Sequence, residues 1–272
     1  MDPLAEKAYD LTPFRYAFNN PIRIVDPNGA YEEDGHYWTV YLMATQLGLK
    51  NARQLADATE WPDVATVPTY LIPGLQQRYH ALTGGSADYE TNASERMLYA
   101  AGDMKDVGIA LHRLGDSYAH RTLSDPSVMY RNRFFTLNHA WTDGAMPDEI
   151  SRRLDLYKSY VSNLAEQLGD KFSVKSNYDS FTFDYISNRS NGTNHFANDA
   201  IIETEIGILH GGGTFQLKAS GYAGDVSKYL QQRNKHYGSN YSVKTFNIET
   251  YTRNENGEFV KKTENRSFIT NN

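Results

Sequence analysis

The chain has 272 residues, 40% hydrophobic and 22% charged, with a net charge of −6 and no cysteine. Apolar residues suffice for a core, which excludes wholesale disorder, and the missing thiols exclude disulfides and thiolate metal sites. The acidic balance argues against nonspecific binding of duplex nucleic acid, and no apolar run reaches the ~18 residues of a membrane-spanning helix.

Residues 1–33 show little periodicity and carry turn signals at Asn20-Pro21 and Asp26-Pro27-Asn28-Gly29. The start is acidic and polar, unlike a signal peptide, so any export is expected to be driven from outside this chain. A helix is expected to open at Asp34-Gly35-His36, with Val40, Met43, Ala44 and Leu47 following His36 at helical spacing and Gly48 as its C-cap. A second begins near Asn51 and carries Leu55, Ala56 and Thr59. Pro62 is expected to stop it and to present Asp63 just beyond.

Residues 64–93 read as a loop holding His80, Pro68, Pro73, Gly74, Gly84 and Gly85. From Ser94 a helical pattern (Met97, Leu98, Ala101, Met104, Val107, Ala110, Leu111, Leu114) runs into Leu111-His112-Arg113-Leu114-Gly115-Asp116-Ser117-Tyr118-Ala119-His120. His112, Asp116 and His120 then stand at i, i+4 and i+8. Each step drifts only about 40° round the helix, so one stripe carries two imidazoles and a carboxylate. That donor set suits zinc, and a carboxylate between two histidines can bridge two ions. His139 and Asp143 repeat the His-x-x-x-Asp spacing. Asp148, after Pro147, is either a ligand or the cap of a helix expected over Asp148 to Leu168 and ended by Gly169. Five of the eight histidines (36, 80, 112, 120 and 139) thus fall in one window, each with an acidic residue nearby, as a multi-metal site would require.

The last third is poorer in chemistry. Phe181 to Tyr185 and Thr214 to Lys218 look like short strands, Ile201 to Leu209 is a buried segment of either type, and Val226 to Arg233 reads as a short helix. Ser242 to Tyr251 alternates, Asn254-Glu255-Asn256-Gly257 turns, and Glu258 to Lys262 returns: a hairpin. His195, His210 and His236 read as structural or exposed. Many of the chain's tyrosines lie in this third.

Two resemblances extend this reading. The order DPLAEK…TPFRYAFNNPIRIVDPNG over residues 1–29 resembles the end of the Rhs repeat-associated core. It implies that the variable toxin tip starts at about residue 30, that an upstream repeat region forms a β-shell around it, and that a cognate immunity protein exists. The window from Asp34 to Asp148 resembles the zinc-dependent phospholipase C superfamily, which includes single-strand nucleases. The resemblance rests on DGHYWTVYLMA, the acidic end of the second helix, a loop histidine, LHRLGDSYAH and a final His-x-x-x-acid. It implies a site of two or three zinc ions held by His36, Asp63, His80, His112, Asp116, His120, His139 and Asp143. Asp116 is then the bridge, and Asp63 orients the attacking water or acts as general base.

Secreted members of that superfamily also use their own N-terminal amine. Here either Asp34 replaces it or cleavage between Tyr31 and Gly35 frees one. Arg121, Arg131 and Arg133 are candidates to hold a substrate phosphate. The expected architecture is mainly α: a linker over 1–33, a helical phospholipase C-like metal domain over 34–169, and a smaller α+β region over 170–272 with a C-terminal β-hairpin. The expected function is that of a secreted effector delivered to a target cell, hydrolysing membrane phospholipid. The rivals are a single-strand nuclease and a non-enzymatic, metal-stabilised binding tip.

Overall fold

A computed structural model describes residues 34–64, 73–131, 150–189, 194–254 and 258–272. The Rhs-like segment therefore lies outside the described residues, as do Arg133, His139, Asp143 and Asp148. The fold is mainly α with a small C-terminal antiparallel sheet, as expected. The chain divides between His195 and Phe196 into two compact units, so residues 170–195 belong with the first rather than with the C-terminal region.

In the first unit a π-helical turn, Asp34–Trp38, leads into α1 (Thr39–Gln46). It is followed by α2 (Ala52–Thr59), a short α3 (Trp61–Val64), α4 (Pro73–His80), α5 (Ala87–Ala100) and α6 (Met104–Ala119). A 3-10 turn at Ile150–Arg152 precedes α7 (Leu154–Phe172) and α8 (Phe181–Ser187). The centre is α6, whose every residue from Val107 to Ala119 is buried. Such a helix must be enclosed on all sides, and α2, α3, α4, α5 and α7 pack around it.

Several expectations give way here. Pro62 does not end a helix; it sits at the second position of α3, in a first turn where its missing N–H costs nothing. The expected loop over 64–93 holds α4 and the start of α5, with Ser86 as N-cap accepting from Tyr89 N–H. The helix expected from Ser94 onward is two helices. Gly102 breaks the first, and Asp103 starts α6 by accepting from Asp106 N–H at 2.9 Å. Gly169 lies inside α7, which ends at Ser173 in the left-handed region. It is small because the chain doubles back over it: Val174 N–H reaches its carbonyl at 2.9 Å, and a Cβ there would stand 3.0 Å from that of Ser176. Phe181 to Tyr185 is helical, not a strand. Phe183 and Ile186 share its buried face, and Lys158 of α7 pairs with Asp184 at 2.9 Å.

The second unit holds α9 (His195–Leu209) from its second residue onward, β1 (Phe215–Leu217), α10 (Ala223–Tyr237), β2 (Tyr241–Arg253) and β3 (Phe259–Asn271). The sheet order is β1-β3-β2, all antiparallel. β1 pairs only with Ser267 to Ile269, so most of the hairpin stands as a two-stranded arm. The buried Glu205 carboxylate of α9 is compensated from α10, by Arg233 Nε at 2.5 Å, its Nη2 at 3.1 Å and the Tyr229 hydroxyl at 2.5 Å.

Gly108 marks the closest approach of α6 to α2, because a Cβ built there would stand 2.3 Å from the Ala58 carbonyl oxygen. Helix propensity alone favours Gly108→Ala by ~1 kcal/mol, whereas overpacking against backbone costs ~1–3 kcal/mol. The expected outcome is a net loss of stability in urea unfolding; a gain would show that the two helices do not touch there.

Candidate metal centre

The stripe on α6 forms as its spacing requires, and three other elements bring side chains to it. Asp116 is fully buried. Its Oδ1 lies 3.1 Å from His36 Nε2, from the π-helical turn, and 3.9 Å from His120 Nε2. Its Oδ2 lies 3.0 Å from His80 Nδ1, at the end of α4, and 3.2 Å from His112 Nε2. One carboxylate thus faces four imidazoles, two on each oxygen. Asp63, on α3, approaches the Oδ2 side: its Oδ1 is 3.6 Å from His112 Nε2 and 3.8 Å from His80 Nδ1. Asp63 is 28% exposed and every histidine of the group is at most 1% exposed, so among the described ligands Asp63 stands nearest to solvent, although its Oδ1, which faces the histidines, is buried.

Backbone carbonyls set the orientation of two rings. A carbonyl only accepts, so His112 donates Nδ1–H to Thr59 O at 2.9 Å and His120 donates Nδ1–H to His80 O at 2.8 Å. In the neutral form their Nε2 lone pairs then face the carboxylate. His112 Nε2 also stands 3.0 Å from His80 Nδ1. Acceptors brought this close need a proton or a cation between them. His36 stacks on His112 with ring centroids 4.1 Å apart. It fits only because residue 115 is glycine: a Cβ there would stand 2.9 Å from the His36 ring.

The electrostatics follow from this crowding. Burial lowers the His36 imidazole, the neighbouring His112 lowers it further, and Asp116 only partly restores it, leaving it at about 4. Burial acts downward on His112 as well. The Asp116 charge and hydrogen bond, helped by Glu60 and the Thr59 carbonyl, outweigh that and raise it. Burial pushes the Asp116 carboxyl up, but His120, His112 and His36 together hold it well below its ordinary 3.8.

The donor geometry fits a metal ion. Two overlapping groups, His36/His112/Asp116 and Asp63/His80/His112, each bring one ligand atom per residue within 4.8 Å of the others. An imidazole whose second nitrogen is committed to a carbonyl ligates only one ion, so the shared His112 belongs to a single ion. Its separations place it with His80 and Asp63, and Asp116 is the residue able to serve both sides. Donors at about 2.0–2.1 Å from a tetrahedral ion stand about 3.3 Å apart. Asp63 Oδ1, His80 Nδ1 and His112 Nε2 stand 3.0 to 3.8 Å apart, and Asp116 Oδ2 lies 3.0 Å from that His80 nitrogen and 3.2 Å from that His112 nitrogen.

Six of the expected site residues, His36, Asp63, His80, His112, Asp116 and His120, thus come together. Asp34 opens the π-helical turn two residues before His36, and its side chain lies outside the described atoms. Two of the candidate arginines have local structural work. Arg121 donates to the Ser117 carbonyl and the Thr91 hydroxyl and lies over the Tyr118 ring. Arg131 bridges to Thr83 and lays its stem against Gly84. Sequence reasoning missed the Thr59 and His80 carbonyls and Gly115. Only Gly115 left a signal, as a glycine inside a helix where no cap is needed. No family model, curated protein or solved structure matched this chain in comparison.

The depressed His36 gives a pH signature in metal-free protein. Its contribution is fully present above pH 6.5 and is lost as pH falls towards 4, because the unfolded chain takes up the proton that the folded one refuses. His112, raised, works in the opposite sense. In chelator, wild type is expected to lose about 2 kcal/mol more than His36→Gln between pH 7 and pH 5. Parallel unfolding free energies for the two proteins would contradict the burial of a neutral His36.

Proposed function

We propose that the chain is a zinc-dependent phosphodiester hydrolase of phospholipase C type, acting on membrane phospholipid as the toxin tip of an Rhs protein. The observation that carries the reading is the convergence of Asp63, His80 and His112 beside one oxygen of the buried Asp116, with His36 and His120 on its other oxygen. Nitrogen and carboxylate donors without thiolates suit zinc and leave Lewis acidity for chemistry. Two or three zinc ions held there would supply positive charge against a phosphodiester and would lower the pKa of water towards ~7.

The chain's own residues supply the rest. Asp116 holds the two halves of the site at a fixed separation. The Thr59 and His80 carbonyls keep His112 and His120 in the ligating tautomer. Asp63, the exposed member, is placed to orient an incoming water and to take its proton. The acidic net charge leans away from a polyanionic nucleic acid and so towards lipid as the phosphodiester. Delivery by an Rhs β-shell and neutralisation by an immunity protein rest on the resemblance of residues 1–29.

The test is turnover of phosphatidylcholine vesicles and of a single-stranded oligonucleotide. Wild type is expected to release diacylglycerol, to stop in chelator and to recover with zinc. Asp116→Ala and Asp63→Asn are expected to lose at least ~100-fold in rate. Cleavage of the oligonucleotide alone would move the reading to a nuclease. No turnover of either by metal-loaded protein would leave a metal-stabilised binding tip.

A further inference from the structure

The outer edge of β2 carries an inference independent of the metal centre. β2 is an edge strand and pairs with β3 in unbroken register from Tyr241↔Asn271 to Arg253↔Phe259. Hydrogen bonds from Asn272 N–H to Asn240 O and from Asn254 N–H to Glu258 O fix the phase of the ladder at both ends. Even-numbered residues of β2 therefore turn their N–H and C=O groups to β3, and odd-numbered residues turn theirs outward. At the base this outward edge is closed. Tyr241 N–H donates to Asn234 Oδ1 at 2.9 Å, and the Tyr241 carbonyl accepts from Asn234 Nδ2 at 2.7 Å. From Val243 to Arg253 no strand among the described residues pairs with it. The stretch has no proline and no bulge, devices that commonly blunt an exposed edge. A two-stranded arm of this kind is marginal in water by itself.

We propose that this edge joins two copies of the chain, β2 pairing antiparallel with the β2 of the partner about a two-fold axis through Asn247. Strand length and side chains together select that axis: an axis through Tyr251 sets Glu249 against Arg253 but leaves only residues 249–253 of each strand paired. On one face Phe246 meets the partner's Ile248; on the other Val243 meets the partner's Tyr251. Lys244 faces the partner's Thr250 and Thr245 the partner's Glu249, so no like charges meet. Phe246 is 50% exposed and Tyr251 60% exposed, and each gains an apolar neighbour. An axis through Glu249 sets two carboxylates opposite each other. An axis through Phe246 sets Lys244 against Ile248 and Glu249 against Val243. An axis through Ile248 sets Phe246 against Thr250 and Arg253 against Val243. A two-fold arrangement repeats each contact, so the register about Asn247 matches its apolar pairs twice.

The test uses the full chain at micromolar concentration. Because it has no cysteine, Asn247→Cys and Glu249→Cys each introduce a lone thiol. About an axis at Asn247 the two backbones at that position lie ~5.5 Å apart, so Asn247→Cys is within disulfide reach of its copy, whereas the two positions of Glu249→Cys lie about 14 Å apart. Asn247→Pro removes only an outward N–H, which an edge strand tolerates. The expected result is a dimer in sedimentation velocity, a disulfide in Asn247→Cys under mild oxidation but not in Glu249→Cys, and a monomer in Asn247→Pro. A monomeric wild type, equal linking of the two thiol variants, or a dimer that survives Asn247→Pro overturns the proposal.

Discussion

A carboxylate sealed away from water is the constraint on which the first unit depends. Asp116 is fully buried, and desolvating a charge of that size costs several kcal/mol unless partners compensate. Its compensation comes from four imidazoles on three separate pieces of chain, the π-helical turn, the end of α4 and α6 itself. Each must arrive in the right rotamer and tautomer. The surrounding helices are therefore held to Asp116 by electrostatics as well as by apolar packing. Gly108 and Gly115 mark where the tolerance vanishes, since a methyl at either would collide with α2 or with His36.

The same arrangement ties structure to chemistry. A cluster needing only stability is better served by apolar side chains of equal volume. Lone pairs converging on a buried carboxylate, with carbonyls holding the outer nitrogens, are what a metal site demands of its donors. Arg113 offers a contrast on the same helix. It meets Glu90 in a direct ion pair and also donates to the Glu90 carbonyl and the Ser94 hydroxyl, so its charge is neutralised within the fold and serves to join α5 to α6.

The centre was largely legible in the sequence because helical spacing is local. His112, Asp116 and His120 form one stripe whatever surrounds α6, and an aromatic-flanked His36 and a proline-flanked Asp63 stood out near them. What stayed hidden depends on long-range contact. The Thr59 and His80 carbonyls carry no side-chain signal, and Arg121 gave no sign that Ser117 and Thr91 would engage it. The fold was misread where a local rule met tertiary context. Proline is a local stop signal, yet Pro62 sits in the first turn of α3; glycine is a local cap signal, yet Gly169 is a close-approach position inside α7. Phe181 to Tyr185 has the look of a short strand, yet Phe183 and Ile186 are buried on one face of a short helix. The hairpin is legible because period-two alternation on either side of an Asn-Gly sequence is a local signal.

The most direct measurement is metal content by plasma mass spectrometry on wild type and Asp116→Ala, both purified without chelator. More than one zinc ion per chain in wild type, largely lost in the variant, is the predicted result. Wild-type protein without stoichiometric metal would contradict the account, leaving Asp116 as the centre of a hydrogen-bonded histidine cluster that only stabilises the fold.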